Sequence, residues 1–300
     1  MNANAQTPFS AIEWLAIGAI ILVWGLNNAA AKLATEAMSP MFIGGARFAI
    51  ALIFLAPFLR PPLPPWRQIL PAILVAGPIH FGLVYIAFGM VENLSPIVVA
   101  LQLWIPLTAL FSWIVLKETM PRAAVAGMTI AFLGVAWMSL DPHATTDLGG
   151  LVVAVLASAL WALAMVLVRK APSLKPLKMQ ALTSLAGAPV LLAASFAFEP
   201  GSVSQAVAAP PFIWGLVIFA ALASTIGATA LLFWLVQRHQ AGRVTPWFLL
   251  TPLISCAIGV GLMGDALTPQ LLIGGLASMA GVALVALSER KIAAAATTAV

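Results

Sequence analysis

The chain has 300 residues, of which 62% are hydrophobic and only 8% charged. Soluble domains carry about 25% charged residues, so 14 Lys and Arg with nine Asp and Glu cannot cover a water-facing surface. The net charge of +5 builds no basic face, because the cations mark the ends of apolar runs, which argues against a nucleic-acid partner.

A helix needs about 20 apolar residues to cross a bilayer core. In chain order the sequence predicts ten such helices, at 13–33, 41–59, 69–90, 95–116, 122–140, 148–169, 178–198, 211–235, 246–264 and 269–288. No run alternates with the period of two that a membrane barrel requires. The N-terminal MNANAQTPFSAIEW has no basic segment of the kind that opens a cleaved signal, so the first helix is expected to serve as its own insertion signal. Cys256 is the single cysteine, which leaves no intramolecular disulfide.

Lysine and arginine bias orients the chain. With the N-terminus in the cytoplasm, the cytoplasmic connections hold Arg60 and Arg67, Lys117 and Arg122, Arg169, Lys170, Lys175 and Lys178, then Arg238 and Arg243. The tail adds Arg290 and Lys291, whereas Glu36, Glu92, Asp141, Asp147, Glu199 and Asp265 fall on the other side. Both termini are therefore expected in the cytoplasm of a bacterial-type inner membrane, with the protein crossing it many times.

The sequence also repeats. Glu118, Gly127 and GVA at 134–136 return at constant separation as Asp265, Gly274 and GVA at 281–283. IPL at 105–107 answers TPL at 251–253, and WGLNNAAAK can be laid on WALAMVLVR, which aligns Trp24 with Trp161 and Lys32 with Arg169. The units are 1–145 and 146–300, five helices each. An odd number makes the second copy enter from the opposite side, the inverted repeat of many secondary transporters, whose solute sites lie between the repeats near the midplane.

At about 1.5 Å per residue, Trp24 lies about 16 Å into a core of about 30 Å. His80, Trp104 and Trp161 come out at similar depth. Tryptophan prefers the membrane interfaces, so this set points to a central cavity that admits solute and water. Asn27 and Asn28, one turn outward of Trp24, face that vestibule or bond across helices. Lys32 is close enough to the outer surface to snorkel. Arg47 pairs with Glu36 or meets a substrate carboxylate; both readings stand.

Helices are interrupted where a cavity would form. AGPIHFG carries Gly77 and Pro78, and its counterpart ASTIGA carries Ser224, Thr225 and Gly227. Pro106 and Pro252 occupy matching places in the fourth and ninth runs. Proline removes a helical hydrogen bond, so Gly77, Pro78, Pro106, Gly227 and Pro252 are the candidate hinges. By contrast, Gly127, Ala131 and Gly134, with Gly274, Ser278 and Gly281, give small faces suited to tight helix packing.

No acid lies mid-helix, which argues against a carboxylate-coupled exporter of cations. There is no P-loop, no HExxH and no cluster of His, Cys and Asp, so neither ATP, a metal nor another cofactor is expected. No nucleophile constellation marks an enzyme. A lipid-modifying enzyme would need a nucleophile beside His80, and a channel would need a ring of polar residues.

The opening stretch, with Trp24-Gly25, Asn27, Lys32 and Arg47, resembles an EamA domain. So does the closing stretch, with Pro106, Glu118, Gly127 and Gly134. The second copy departs from the pattern at its start, where Ala162 follows Trp161 and the Asn is missing. The resemblance implies the drug/metabolite transporter superfamily: an all-α integral membrane protein of ten helices, two inverted EamA repeats around a central cavity, and solute export. Within it, the residues look most like exporters of aromatic and other neutral amino acids. That implies a cavity lined by Trp24, His80, Trp104 and Trp161, with Tyr85, Gln102 and Trp234 as further candidates. The partners implied are a small-molecule substrate and membrane lipid; the oligomeric state stays open, a monomer being one option. The alternative within the same fold is a carrier of drugs or sugar phosphates.

Overall fold

The computed structural model describes residues 9–62, 65–117, 120–140, 148–170, 174–236 and 244–298. Every regular element among them is helical. Eight helices are long and apolar enough to cross a membrane: α1 (Ala11–Ala37), α2 (Pro40–Leu59), α3 (Trp66–Gly89), α4 (Leu94–Leu116), α6 (Leu148–Val168), α7 (Pro176–Phe198), α8 (Pro211–Leu232) and α10 (Pro269–Ser288). Two shorter apolar helices complete the set, α5 (Arg122–Met138) and α9 (Trp247–Leu262). Their outward faces are apolar, with Leu15 73% exposed, Ile53 71% and Leu276 67%, which in water would be unfavourable and in lipid is the expected surface.

Local sequence fixes the start of the first helix. Ser10 and Glu13 cap α1 reciprocally: Ser10 Oγ accepts from Glu13 N, and Glu13 Oε2 accepts from Ser10 N at 2.8 Å. Two other starts are capped from far along the chain. Glu199 accepts from Met41 N at 2.9 Å and Phe42 N at 3.2 Å, at the head of α2. Asp265 accepts from Leu94 N at 3.1 Å, Ser95 N at 2.7 Å and the Ser95 hydroxyl, at the head of α4. Unsatisfied N–H groups and the positive dipole end both favour a carboxylate there. Glu118, the acid that the sequence pairs with Asp265, lies outside the described residues, as do Asp141, Asp147, Arg238 and Arg243.

The helices are interleaved. α5 packs most extensively on α10, and α2 on α7; α3 and α4 lie against α6, while α8 and α9 lie against α1. The α5–α10 contact is backbone on backbone. A Cβ at Gly127 would stand 2.6 Å from Gly281 O, and one at Gly134 would stand 2.5 Å from Gly274 O. Gly25 lets α9 approach α1 closely too, here against a side chain, since a Cβ there would meet Ile254 Cβ at 2.7 Å.

Lys32 corrects one expectation. It is buried and pairs with Glu36 Oε1 at 2.9 Å on the next turn of α1, rather than snorkelling. An i,i+4 partner lies on the same helix face, so the ammonium is held inside the bundle edge. Glu36 is thereby occupied, and Arg47 finds other company.

Candidate functional site

The helical breaks create the site. Pro78 has no N–H for the carbonyl one turn back, and α3 takes a wider π turn over Val75–Ile79. His80 follows directly. Its Nδ1 lies 2.9 Å from Ala157 O of α6; a carbonyl only accepts, so Nδ1 carries the proton. The ring stacks on Trp161, centroids 4.7 Å apart at 35°, and Phe81 meets His80 edge-on at 4.8 Å.

In α8 the matching segment, Ala220–Ala228, is also a π turn, but contains no proline. Thr225 Oγ1 donates to Ala220 O, five residues back, at 2.9 Å. Its lone pair then accepts from Arg47 Nε at 2.7 Å. Arg47 Nη1 donates to the Tyr85 hydroxyl at 3.3 Å, and Nη2 to Ser224 Oγ at 3.4 Å. The guanidinium carbon sits 4.8 Å from the Phe81 ring centroid, within cation–π range. Arg47 is 4% exposed and has no carboxylate partner among the described residues.

The structure thus gathers His80, Tyr85 and Trp161 of the predicted set. It adds Arg47, Phe81, Ser224 and Thr225, which the sequence displays as polar or aromatic residues but does not aim at one point. Trp24 stands apart, edge-on to Phe248 at 5.2 Å, in a cluster of α1, α8 and α9 that also holds Trp234. Asn27 Oδ1 is buried without a partner, while Asn28 donates to Ser255 of α9 at 3.1 Å. Gln102 stands in the break between Leu94–Leu101 and Trp104–Leu116, and both it and Trp104 are half-buried. Of the candidate hinges, Gly77 and Pro78 lie in the first π turn and Gly227 in the second. Pro106 follows the break in α4, and Pro252 opens the regular part of α9 after the tighter turn Thr245–Leu250. Among the described residues, no three of His, Cys, Asp and Glu gather as a metal site would require.

The model of the EamA-like transporter family matches residues 10–140 and again 148–287. The chain belongs to this family. This EamA-like transporter is 27% identical over 276 residues to a probable amino-acid metabolite efflux pump of Salmonella typhimurium, covering 87% of this chain and 90% of that one. It is 28% identical to the uncharacterized transporter YvbV of Bacillus subtilis, covering 90% of each. The uncharacterized inner membrane transporter YedA of Escherichia coli is 24% identical, over 84% of this chain and 83% of that one. A solved crystal structure shares the fold with a TM-score of 0.59 at 19% identity, covering 95% of this chain and 99% of that one. The EamA-like transporter is accordingly a multi-pass membrane carrier of small molecules and not an enzyme.

Proposed function

We propose that this transporter exports aromatic and other neutral amino acids across the inner membrane by alternating access. The observation that carries this reading is the cluster of Arg47, His80, Phe81, Tyr85, Trp161, Ser224 and Thr225. It joins an aromatic wall to a polar floor, drawn from α2 and α3 on one side and α6 and α8 on the other. An aromatic wall suits an apolar side chain; hydroxyls and a cation suit the polar end of an amino acid. The name of the Salmonella relative, a probable amino-acid metabolite efflux pump, supports export of amino-acid metabolites in general. Trp24, Asn27, Gln102, Trp104 and Trp234 stand outside this cluster and are proposed as further lining of the solute's path.

All ten apolar helices cross the bilayer in this reading, and the units 1–145 and 146–300 are inverted copies. Two family matches, one to each unit, support it. So does the packing scheme: shifting every helix by five turns α3 and α4 on α6 into α8 and α9 on α1, and returns α5–α10 and α2–α7 to themselves. At about 1.5 Å per residue, the 17 residues of α5 reach about 26 Å, close to the hydrocarbon thickness. The paired π turns serve as the hinges. Without a mid-helix carboxylate, the solute gradient drives the cycle.

The test is flux of radiolabelled phenylalanine in proteoliposomes, wild type against Trp161→Ala, with and without a pH gradient. Saturable flux that the substitution weakens and the gradient leaves unchanged is the expected result. Absence of any amino-acid flux from correctly inserted protein defeats the proposal. Proton-dependent flux would replace the gradient-driven cycle with one centred on His80.

A further inference from the structure

A guanidinium buried inside a membrane protein demands compensation, since an unpaired charge there is costly. Among the described residues, Arg47 has hydrogen bonds only to neutral hydroxyls, together with one ring face. Those bonds are unequal. The short one, 2.7 Å, leaves from Nε and ends on Thr225, whose own proton is committed to Ala220 O. The two long ones, 3.3 and 3.4 Å, leave from the terminal nitrogens Nη1 and Nη2 and end on Tyr85 and Ser224. Nε is therefore anchored, while the outer pair of the fork is weakly occupied.

That outer pair is one of the faces with which arginine grips a planar carboxylate through two parallel hydrogen bonds. We infer that Arg47 is the carboxylate-recognition group of this carrier: Thr225 holds the guanidinium in place, and the solute's carboxylate takes over Nη1 and Nη2 from Tyr85 and Ser224. The inference rests on the amino-acid reading above and specifies it further. It makes the free carboxylate the obligatory feature of a substrate, ahead of the amino group, for which the described cluster offers no anion.

The same bonds tie transport to movement. Arg47 is on α2, and both Ser224 and Thr225 are in the π turn of α8. The weak Nη2 bond bridges these helices directly. With a carboxylate bound, that bridge is exchanged for one that includes the solute, and Ser224 is released. The loaded carrier thus differs from the empty one at the helix where the second hinge lies.

The experiment uses the full chain in proteoliposomes and measures competition against radiolabelled phenylalanine. The competitors are phenylalanine, phenylpyruvate (a carboxylate without the amine), phenylalanine amide, phenethylamine and a sugar phosphate. Phenylalanine and phenylpyruvate are expected to compete, and the amide, the amine and the sugar phosphate to fail. Arg47→Lys, which keeps the charge but loses the fork, is expected to raise KM about 10-fold while changing maximal flux much less. The wild-type panel stands even if that variant inserts poorly. Equal competition by phenethylamine or the amide, with phenylalanine flux intact, overturns this inference and leaves the amino-acid reading in place. Equal competition by the sugar phosphate overturns the assignment to a carboxylate. Wild-type protein that moves no amino acid defeats both readings together.

Discussion

The α5–α10 pair and the Arg47 cluster both join the first five helices to the last five, and they do so by opposite means. At α5–α10, glycine lets backbone touch backbone, with Gly127 against Gly281 and Gly134 against Gly274. Such a contact has one arrangement, because any side chain or slip drives atoms into a carbonyl. At Arg47 the joint is polar, and two of its three hydrogen bonds exceed 3.2 Å. Such bonds can be exchanged for others of equal quality, and the flanking π turns already hold backbone off the regular helical ladder. In the proposed alternating-access cycle, the close apolar packing is the pivot and the replaceable polar contacts are the moving part.

The comparison can be broken first at the pivot. Gly134→Val should cost about 3 kcal/mol or more, since neither facing backbone can yield; thermal unfolding in detergent would read it, and near-native stability would refute a fixed pivot. Asp265→Ala should come next, at about 2 kcal/mol, because three hydrogen bonds at the head of α4 are lost. It should lower the melting temperature while sparing the affinity for solute. His80→Leu sharpens the contrast. It should cost only about 1 kcal/mol of stability, yet it removes the hydrogen bond and the ring that orient Trp161, so transport should suffer far more than folding. A parallel fall in both would mean that His80 is scaffold. Glu36→Gln should be smallest, under about 1 kcal/mol, because Glu36 is 54% exposed and its pair with Lys32 is screened.

Much of the scaffold could be read in the sequence. Glycine at helical spacing in α5 and α10 announced their close packing, and proline or paired hydroxyls at matching positions announced the breaks. The site was only partly readable. Arg47, Ser224 and Thr225 were visible as polar residues within apolar runs, but hydropathy gives no azimuth, and a π turn shifts every later side chain around the helix axis. Lys32 was misread for a related reason: depth along a helix does not tell whether a partner waits on the same face. Glu199 looked like an ordinary loop acid and Asp265 only like a marker of the repeat, because a cap supplied from more than 150 residues away leaves no local pattern.

The interleaving of helices has a consequence for how the protein is made. Asn28 enters the membrane with the first helix, yet its partner Ser255 follows 227 residues later. At about 5–20 residues per second of synthesis, that amide waits roughly ten to forty-five seconds for its mate. During this interval α1 must shelter its polar groups against the translocation machinery, lipid headgroups or provisional neighbours. The first helix to be born is among the last to be finished, and the ribosome's pace is part of its folding problem.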